Sequence, residues 1–243
     1  MSDFNTFEKL GESCEICVTK EHTFGTDAFM LADFAKARHK DIVCDLGTGC
    51  GIIAVLMRLR YEPKQVYGVD IQPQAIEQFE LTVSRSGLKE TYPLLMDLKA
   101  LTNDAPLGRC DLVTCNPPYK AAKAGIESEL SAHKIARHEI LCNISDVCAA
   151  GNKLLKYGGR LCLCNRPERL AGVMCAMRDN DIEPKYLRFV SKSPSDAPWL
   201  FLIEGRKGGG SFMQVLPQLY ISGSGGISPE LAQIYGKTDE RTE

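Results

Sequence analysis

The chain has 243 residues, with 29 basic and 31 acidic side chains and a formal net charge of −2. At 44% hydrophobic and 25% charged it can bury a core, which excludes a largely disordered chain. No apolar run approaches the roughly 20 residues that span a bilayer, and the near-neutral balance argues against a uniformly basic, phosphate-gripping surface.

Residues 1–11 are polar and lack the basic-then-apolar layout of a signal peptide, so a cytoplasmic protein is expected. The 11 cysteines are odd in number and sit mostly in apolar runs such as Leu161-Cys162-Leu163-Cys164. They read as reduced thiols packed as small hydrophobes. Cys14-Glu15-Ile16-Cys17 has the spacing of half a zinc site, but no second pair follows, and no metal is expected.

In chain order, residues 42–46 form the first buried apolar run, a strand. Residues 51–60 follow as a helix, with Ile52, Ile53, Val55, Leu56 and Leu59 inward. Residues 65–69 are a second strand ending at Asp70. Pro73 opens a helix closed by Gly87. Residues 92–96 and 111–115 are the third and fourth strands. A long helix covers residues 140–156 and stops at Gly158-Gly159. Residues 160–164 are a fifth strand and 170–178 a helix. Strands 186–190 and 200–204 then follow each other directly, which predicts an antiparallel hairpin at one edge.

Such alternation predicts an α/β fold with a mostly parallel sheet and helices on both faces. Ligands in these folds bind beyond the carboxyl ends of the strands. Asp45, Asp70, Asp97 and Asn116 all fall at or just after such ends.

Asp45-Leu46-Gly47-Thr48-Gly49-Cys50-Gly51 joins the first strand to a helix, and its glycines permit a tight turn and close ligand approach. Asp70 follows about twenty residues later, where a carboxylate can accept from both hydroxyls of a ribose. The alternative role for Asp70 is a helix cap. Ile71 can pack on an adenine face, and Asp97 can accept from the adenine amino group. These two motifs resemble those of class I S-adenosylmethionine-dependent methyltransferases, a Rossmann-like group. The resemblance implies a seven-stranded, mostly parallel sheet with an antiparallel last strand. It implies that Gly47 and Gly49 line the methionine part of the cofactor, that Asp70 binds ribose and that Asp97 approaches adenine, with Asp45, Thr48 and Ile71 as further cofactor-binding candidates.

Asn116-Pro117-Pro118-Tyr119 follows the fourth strand. An exocyclic amine on an aromatic ring is a poor nucleophile, because its lone pair is delocalised. The Asn116 side-chain oxygen and the Pro117 carbonyl can accept its two N–H bonds, and Tyr119 offers a face for stacking. The prolines stiffen the backbone. The methyl donor is already a sulfonium, so positioning can carry much of the rate. The tetrapeptide resembles the active-site motif of methyltransferases acting on adenine N6, cytosine N4 or a glutamine amide.

Three further stretches are residues 23–31 with Gly25-Thr26-Asp27-Ala28, Ala136-Arg137-His138-Glu139, and residues 201–210 with Glu204-Gly205-Arg206-Lys207-Gly208-Gly209, which continue into a tail ending Leu231-Ala232-Gln233-Ile234-Tyr235-Gly236. Together with the other motifs, they resemble the bacterial tRNA1(Val) adenine-N6 methyltransferase family over residues 23–236. That resemblance implies tRNA as substrate, methylated on the adenine 3′ of the anticodon. It also implies that Thr26 and Asp27 face the methionine end of S-adenosyl-L-methionine. Lys120, Lys123, Lys134, Arg137, His138, Arg206 and Lys207 are candidate tRNA contacts, although Glu127, Glu129 and Glu139 among the first set make a solvated mixed-charge face an equal reading. His22, His133 and His138 are read as surface or substrate contacts, because the reaction needs no proton shuttle. The expected organisation is one methyltransferase domain, with residues 1–40 a capping lid, 41–210 the core and 211–243 a tail. A monomer or homodimer with no membrane partner is expected. The rivals are a release-factor glutamine methyltransferase, which would carry a further N-terminal helical domain, a DNA or rRNA enzyme, and a binding subunit that has lost its chemistry.

Overall fold

The computed structural model describes residues 6–20, 22–101, 107, 109–117 and 143–236. The central strands are β3 (Ile42–Leu46), β4 (Gln65–Asp70), β5 (Thr91–Leu95), β6 (Cys110–Cys115), β7 (Leu155–Asn165), β8 (Ile182–Ser191) and β9 (Leu200–Lys207). Their spatial order is β5-β4-β3-β6-β7-β9-β8. The pairs from β5 to β7 are parallel, and β9 runs antiparallel to both neighbours. This is the expected seven-stranded sheet.

β3 and β6 are buried along nearly their whole length. They read as continuous apolar runs because helices cover both faces of a parallel sheet. Alternate residues feed two cores. Val43, Leu112, Cys162, Cys164 and Leu202 face one, with α1 (Thr26–Ala35), α2 (Ile52–Tyr61) and Phe79 of α3 (Pro73–Arg85). Cys44, Val113, Leu161, Leu163 and Ile203 face the other, with α4 (Ile144–Leu154) and α5 (Leu170–Asp179). Strand order reverses at β3, which has β4 on one side and β6 on the other. The crevice at the carboxyl ends of β3 and β6 is therefore the topological switch point, where doubly wound sheets bind ligands.

Four details depart from the sequence expectation. The long helix ends at Leu154, and β7 begins at Leu155 rather than at Arg160. Leu155 pairs with Cys110 and Arg160 with Leu112, so residues 156–159 form an irregularity inside the strand, which Gly158 turns at φ 76°. The glycine pair therefore marks a bulge and not a helix cap. Second, the antiparallel β8–β9 hairpin forms as expected, but short strands pair with β8 beyond it, so it does not close the edge. Third, two short strands, β10 (Gln214–Val215) and β11 (Leu219–Tyr220), extend the sheet by pairing with β8. Fourth, the N-terminal segment contains a hairpin of β1 (Thr6–Lys9) and β2 (Glu15–Val18). β2 is pinned to α3, with the Cys17 amide donating to Thr82 Oγ1 at 2.9 Å.

The tail forms a small hairpin of β12 (Ser222–Gly223) and β13 (Gly226–Ile227), then α6 (Pro229–Ile234). α6 is capped by Ser228, whose hydroxyl accepts from the Leu231 amide. Every described cysteine is free, and all but Cys175 are buried. Burial pushes the Cys50 and Cys148 thiols up to about 12. Among the described residues no helix is long and apolar enough to cross a membrane.

Candidate active site

The loop after β3 turns tightly onto α2, with Gly47, Gly49 and Gly51 all at positive φ. Two different demands explain these glycines. A Cβ at Gly51 would lie 2.2 Å from Phe79 Cδ2, so this position is closed by packing. A Cβ at Gly47 or Gly49 would meet nothing within 4 Å, so the backbone there faces open space. A flat ligand can approach that backbone without obstruction.

Asp45 supports the loop from below. Its carboxylate is buried and accepts from Thr48 Oγ1 at 2.7 Å and from Thr114 Oγ1 at 2.6 Å. Burial raises its carboxyl to about 7, against the lowering effect of the two hydroxyls. Thr48 and Asp45 thus hold each other, tying the loop to β6. Asp70 holds the loop from the side. Its Oδ2 accepts from the Gly49 amide at 2.9 Å and its Oδ1 from the Gln72 amide at 3.0 Å. Beyond it Ile71 is 48% exposed, an apolar side chain left open at the rim. Asp97 accepts from the Lys99 amide at 2.9 Å, opening a short 3-10 turn after β5.

Asn116 and Pro117 leave the carboxyl end of β6. Cys115 is in register with Leu46, so Asn116 emerges next to Gly47. The Asn116 amide is held at both ends. Its Nδ2 donates to Asp27 Oδ2 at 3.0 Å, and Cys164 Sγ donates to its Oδ1 at 3.1 Å. Asp27 sits in the first turn of α1, where its Oδ1 accepts from the Ala28 amide at 3.0 Å. The adjacent Thr26 hydroxyl lies 2.6 Å from the Tyr235 hydroxyl, and Tyr235 packs edge-on against Phe29 at 4.9 Å. Segments from both ends of the chain therefore meet at the switch point.

A family model described as the methyltransferase small domain matches residues 19–168, more than half of the chain. The chain belongs to the methyltransferase small domain family. A protein of Histophilus somni named tRNA1(Val) (adenine(37)-N6)-methyltransferase is 28% identical over 158 residues, covering 64% of this chain and 64% of that protein, just under two thirds. A protein of the same name from Aeromonas salmonicida is 25% identical over 203 residues, covering 83% of each. In structure, the chain is similar to a predicted O-methyltransferase from Agrobacterium tumefaciens. The TM-score is 0.68 at 18% identity, over 87% of this chain and 96% of that one, a likeness of fold.

In this methyltransferase small domain, Asp27, Asp45, Gly47, Thr48, Gly49, Asp70, Ile71, Asn116 and Pro117 converge on one crevice, with Asp97 on the same rim. Tyr119, Lys120, Arg137 and His138, with Lys123, Lys134 and His133, lie outside the described residues. His22 contacts Gln72, its Nε2 lying 3.2 Å from Oε1, and is not part of the crevice contacts.

Arg206 and Lys207 do not join the crevice. β9 runs antiparallel, so its end lies at the amino-terminal rim of the sheet, with Arg206 paired to Arg160. Lys207 Nζ donates to the carbonyls of Asn152 and Leu155, at 2.5 and 3.1 Å, closing the end of α4. Most of the Glu204–Gly208 stretch has a packing explanation. Glu204 binds the nearly buried Arg160 at 3.1 Å, and Cβ atoms on Gly205 and Gly208 would strike Met177 and Tyr157. Sequence reasoning gave no site role to Thr114, Cys164 or Tyr235. Thr114 carried a signal as the polar residue in an otherwise apolar end of β6, and Tyr235 lay in the tail stretch that shares the family resemblance.

Proposed function

We propose that this chain transfers the methyl group of S-adenosyl-L-methionine to N6 of an adenine in tRNA, the base 3′ of the anticodon. The observation that carries the reading is Asn116-Pro117 at the end of β6, beside the open glycine backbone at the end of β3. The names of the relatives support adenine in tRNA over other planar nitrogens.

The crevice fits the cofactor. The free space over Gly47 and Gly49 accepts the methionine part, Asp70 the ribose hydroxyls, Ile71 the adenine face and Asp97 its amino group. When bound, S-adenosyl-L-methionine supplies an electrophilic methyl group on a sulfonium. The chain supplies orientation. Asn116 Oδ1 and the Pro117 carbonyl accept the two N–H bonds of the target amine, which localises its lone pair and aims it along the transfer axis. The N–C bond forms as the C–S bond breaks, and the nitrogen then gives its proton to water. Reaching the amine requires the base to be turned out of its stack.

The test is labelled methyl transfer offered in parallel to unmodified tRNA, DNA and protein. Label is expected in tRNA as N6-methyladenine. Asn116→Ala is expected to lower kcat about 100- to 1,000-fold, the scale for losing one transition-state hydrogen-bonding group. Label found solely in a protein glutamine would sink the tRNA assignment. Transfer untouched by Asn116→Ala would sink the mechanism.

A further inference from the structure

We propose that Asp27 is the positioning residue that fixes which end of the Asn116 amide meets the substrate. This rests on reading Asn116 as the acceptor for the target amine. A carboxamide has two ends of nearly equal shape and opposite chemistry. Rotated by half a turn, Asn116 would present an NH2 group to an incoming NH2 group, and no hydrogen bond would form. Something must therefore select the orientation.

The Asp27 carboxylate accepts and cannot donate when ionised. Facing Asn116 at 3.0 Å, it attracts Nδ2 and repels Oδ1. The turned amide would set two acceptors against each other at hydrogen-bonding distance. Cys164 works in the same direction from the far side, because its thiol donates to Oδ1 at 3.1 Å. A thiol is a weak donor, so the carboxylate dominates the selection. A second lone pair on Oδ1 stays available to accept from the substrate amine.

Asp27 is itself immobilised. Its other oxygen accepts from the Ala28 amide in the first turn of α1, where the helix dipole favours negative charge. The neighbouring Thr26 is tied to Tyr235. A carboxylate held this way keeps its place. Asp27 thus acts through Asn116, and the sequence expectation that it faces the cofactor is not needed to explain it.

Exchanging the two groups tests the idea. Asp27→Asn alone loses the bias between orientations, and kcat is expected to fall about 10- to 100-fold, the scale of one charge-assisted hydrogen bond. The cofactor Kd from calorimetry is expected to stay within about twofold of the parent value, since the residue acts on another side chain. Asn116→Asp alone sets two carboxylates face to face and is expected to be the more damaged variant. The double variant Asp27→Asn/Asn116→Asp restores one donor against one acceptor, with an acceptor still facing the substrate. It is expected to exceed Asn116→Asp by about tenfold or more. A double variant no better than Asn116→Asp overturns the proposal. So does an Asp27→Asn variant that weakens cofactor binding while leaving kcat unchanged.

A second measurement needs no substrate. The side-chain amide protons of Asn116 in the 1H–15N spectrum are expected to move upfield in Asp27→Ala, as the carboxylate partner is lost. An unmoved resonance overturns the proposal. Failure of the parent chain to methylate any RNA would sink the proposed function instead, while the amide resonance still decides the role of Asp27.

Discussion

Replacing Asp45 with asparagine removes a charge that the fold buries. The carboxyl lies beneath the glycine loop, with both oxygens on threonine hydroxyls, and its value rises from an ordinary 3.8 to about 7. The native chain therefore holds a proton more tightly than the unfolded chain between about pH 4 and pH 7. A group with a raised acid value costs stability as pH climbs through that window, and the cost levels off above the folded value. The whole effect is on the order of 4 kcal/mol, and the part between pH 5 and pH 8 about 2–3 kcal/mol. Asparagine does not titrate. Its amide accepts from one threonine and donates to the other. The stability of Asp45→Asn relative to the parent should rise by about 2–3 kcal/mol from pH 5 to pH 8, or about 4–12 °C in Tm for a chain of this length. Denaturant and thermal melts of both proteins at pH 5, 6, 7 and 8 measure this difference. Taking it pairwise cancels every other titrating group. A difference that stays constant with pH refutes the reasoning.

Two further predictions concern the rim opposite the crevice. Arg160 is nearly buried and holds Glu204 at 3.1 Å, Asp41 at 3.6 Å and the carbonyls of Ala35 and Lys36. Arg160→Ala strands two buried carboxylates and should cost about 3–5 kcal/mol in a urea titration; a loss below about 1 kcal/mol would show that the cluster is solvated. Lys207→Ala should lower Tm by leaving the last carbonyls of α4 unpaired, while tRNA affinity by filter binding stays within about twofold. A salt-dependent drop in affinity with an unchanged Tm would return Lys207 to the substrate surface.

The centre of the sheet was legible because β3 and β6 are short, mostly apolar runs between turn signals, and burial on both faces enforces that pattern. The crevice was legible for a related reason. Asp45, Asp70, Asp97 and Asn116 each interrupt an apolar run at its carboxyl end, so their position follows from the strands alone. The bulge in β7 was not, because Gly158-Gly159 reads equally as a helix stop, and only pairing of Leu155 with Cys110 decides it. The role of Lys207 was hidden too. A basic residue at a strand end looks the same whether it faces a phosphate or the carbonyls of a helix from 55 residues earlier. Contacts across such separations have no local pattern.

The glycine loop and Asn116 come from the sheet, and their place is set by strand register. The orientation of the Asn116 amide is set by Asp27, which the sheet does not hold. Asp27 belongs to α1, and the start of α1 is fixed by Tyr235, 209 residues from its partner Thr26. A contact chain thus runs from the tail through Thr26 and Asp27 to Asn116. The sheet places the Asn116 amide, while α1 and Tyr235 bear on the face it shows. Tyr235→Phe should therefore lower kcat about 2- to 10-fold through Asp27 in the labelled transfer assay, with the cofactor Kd from calorimetry within about twofold, and an unchanged kcat would refute the link.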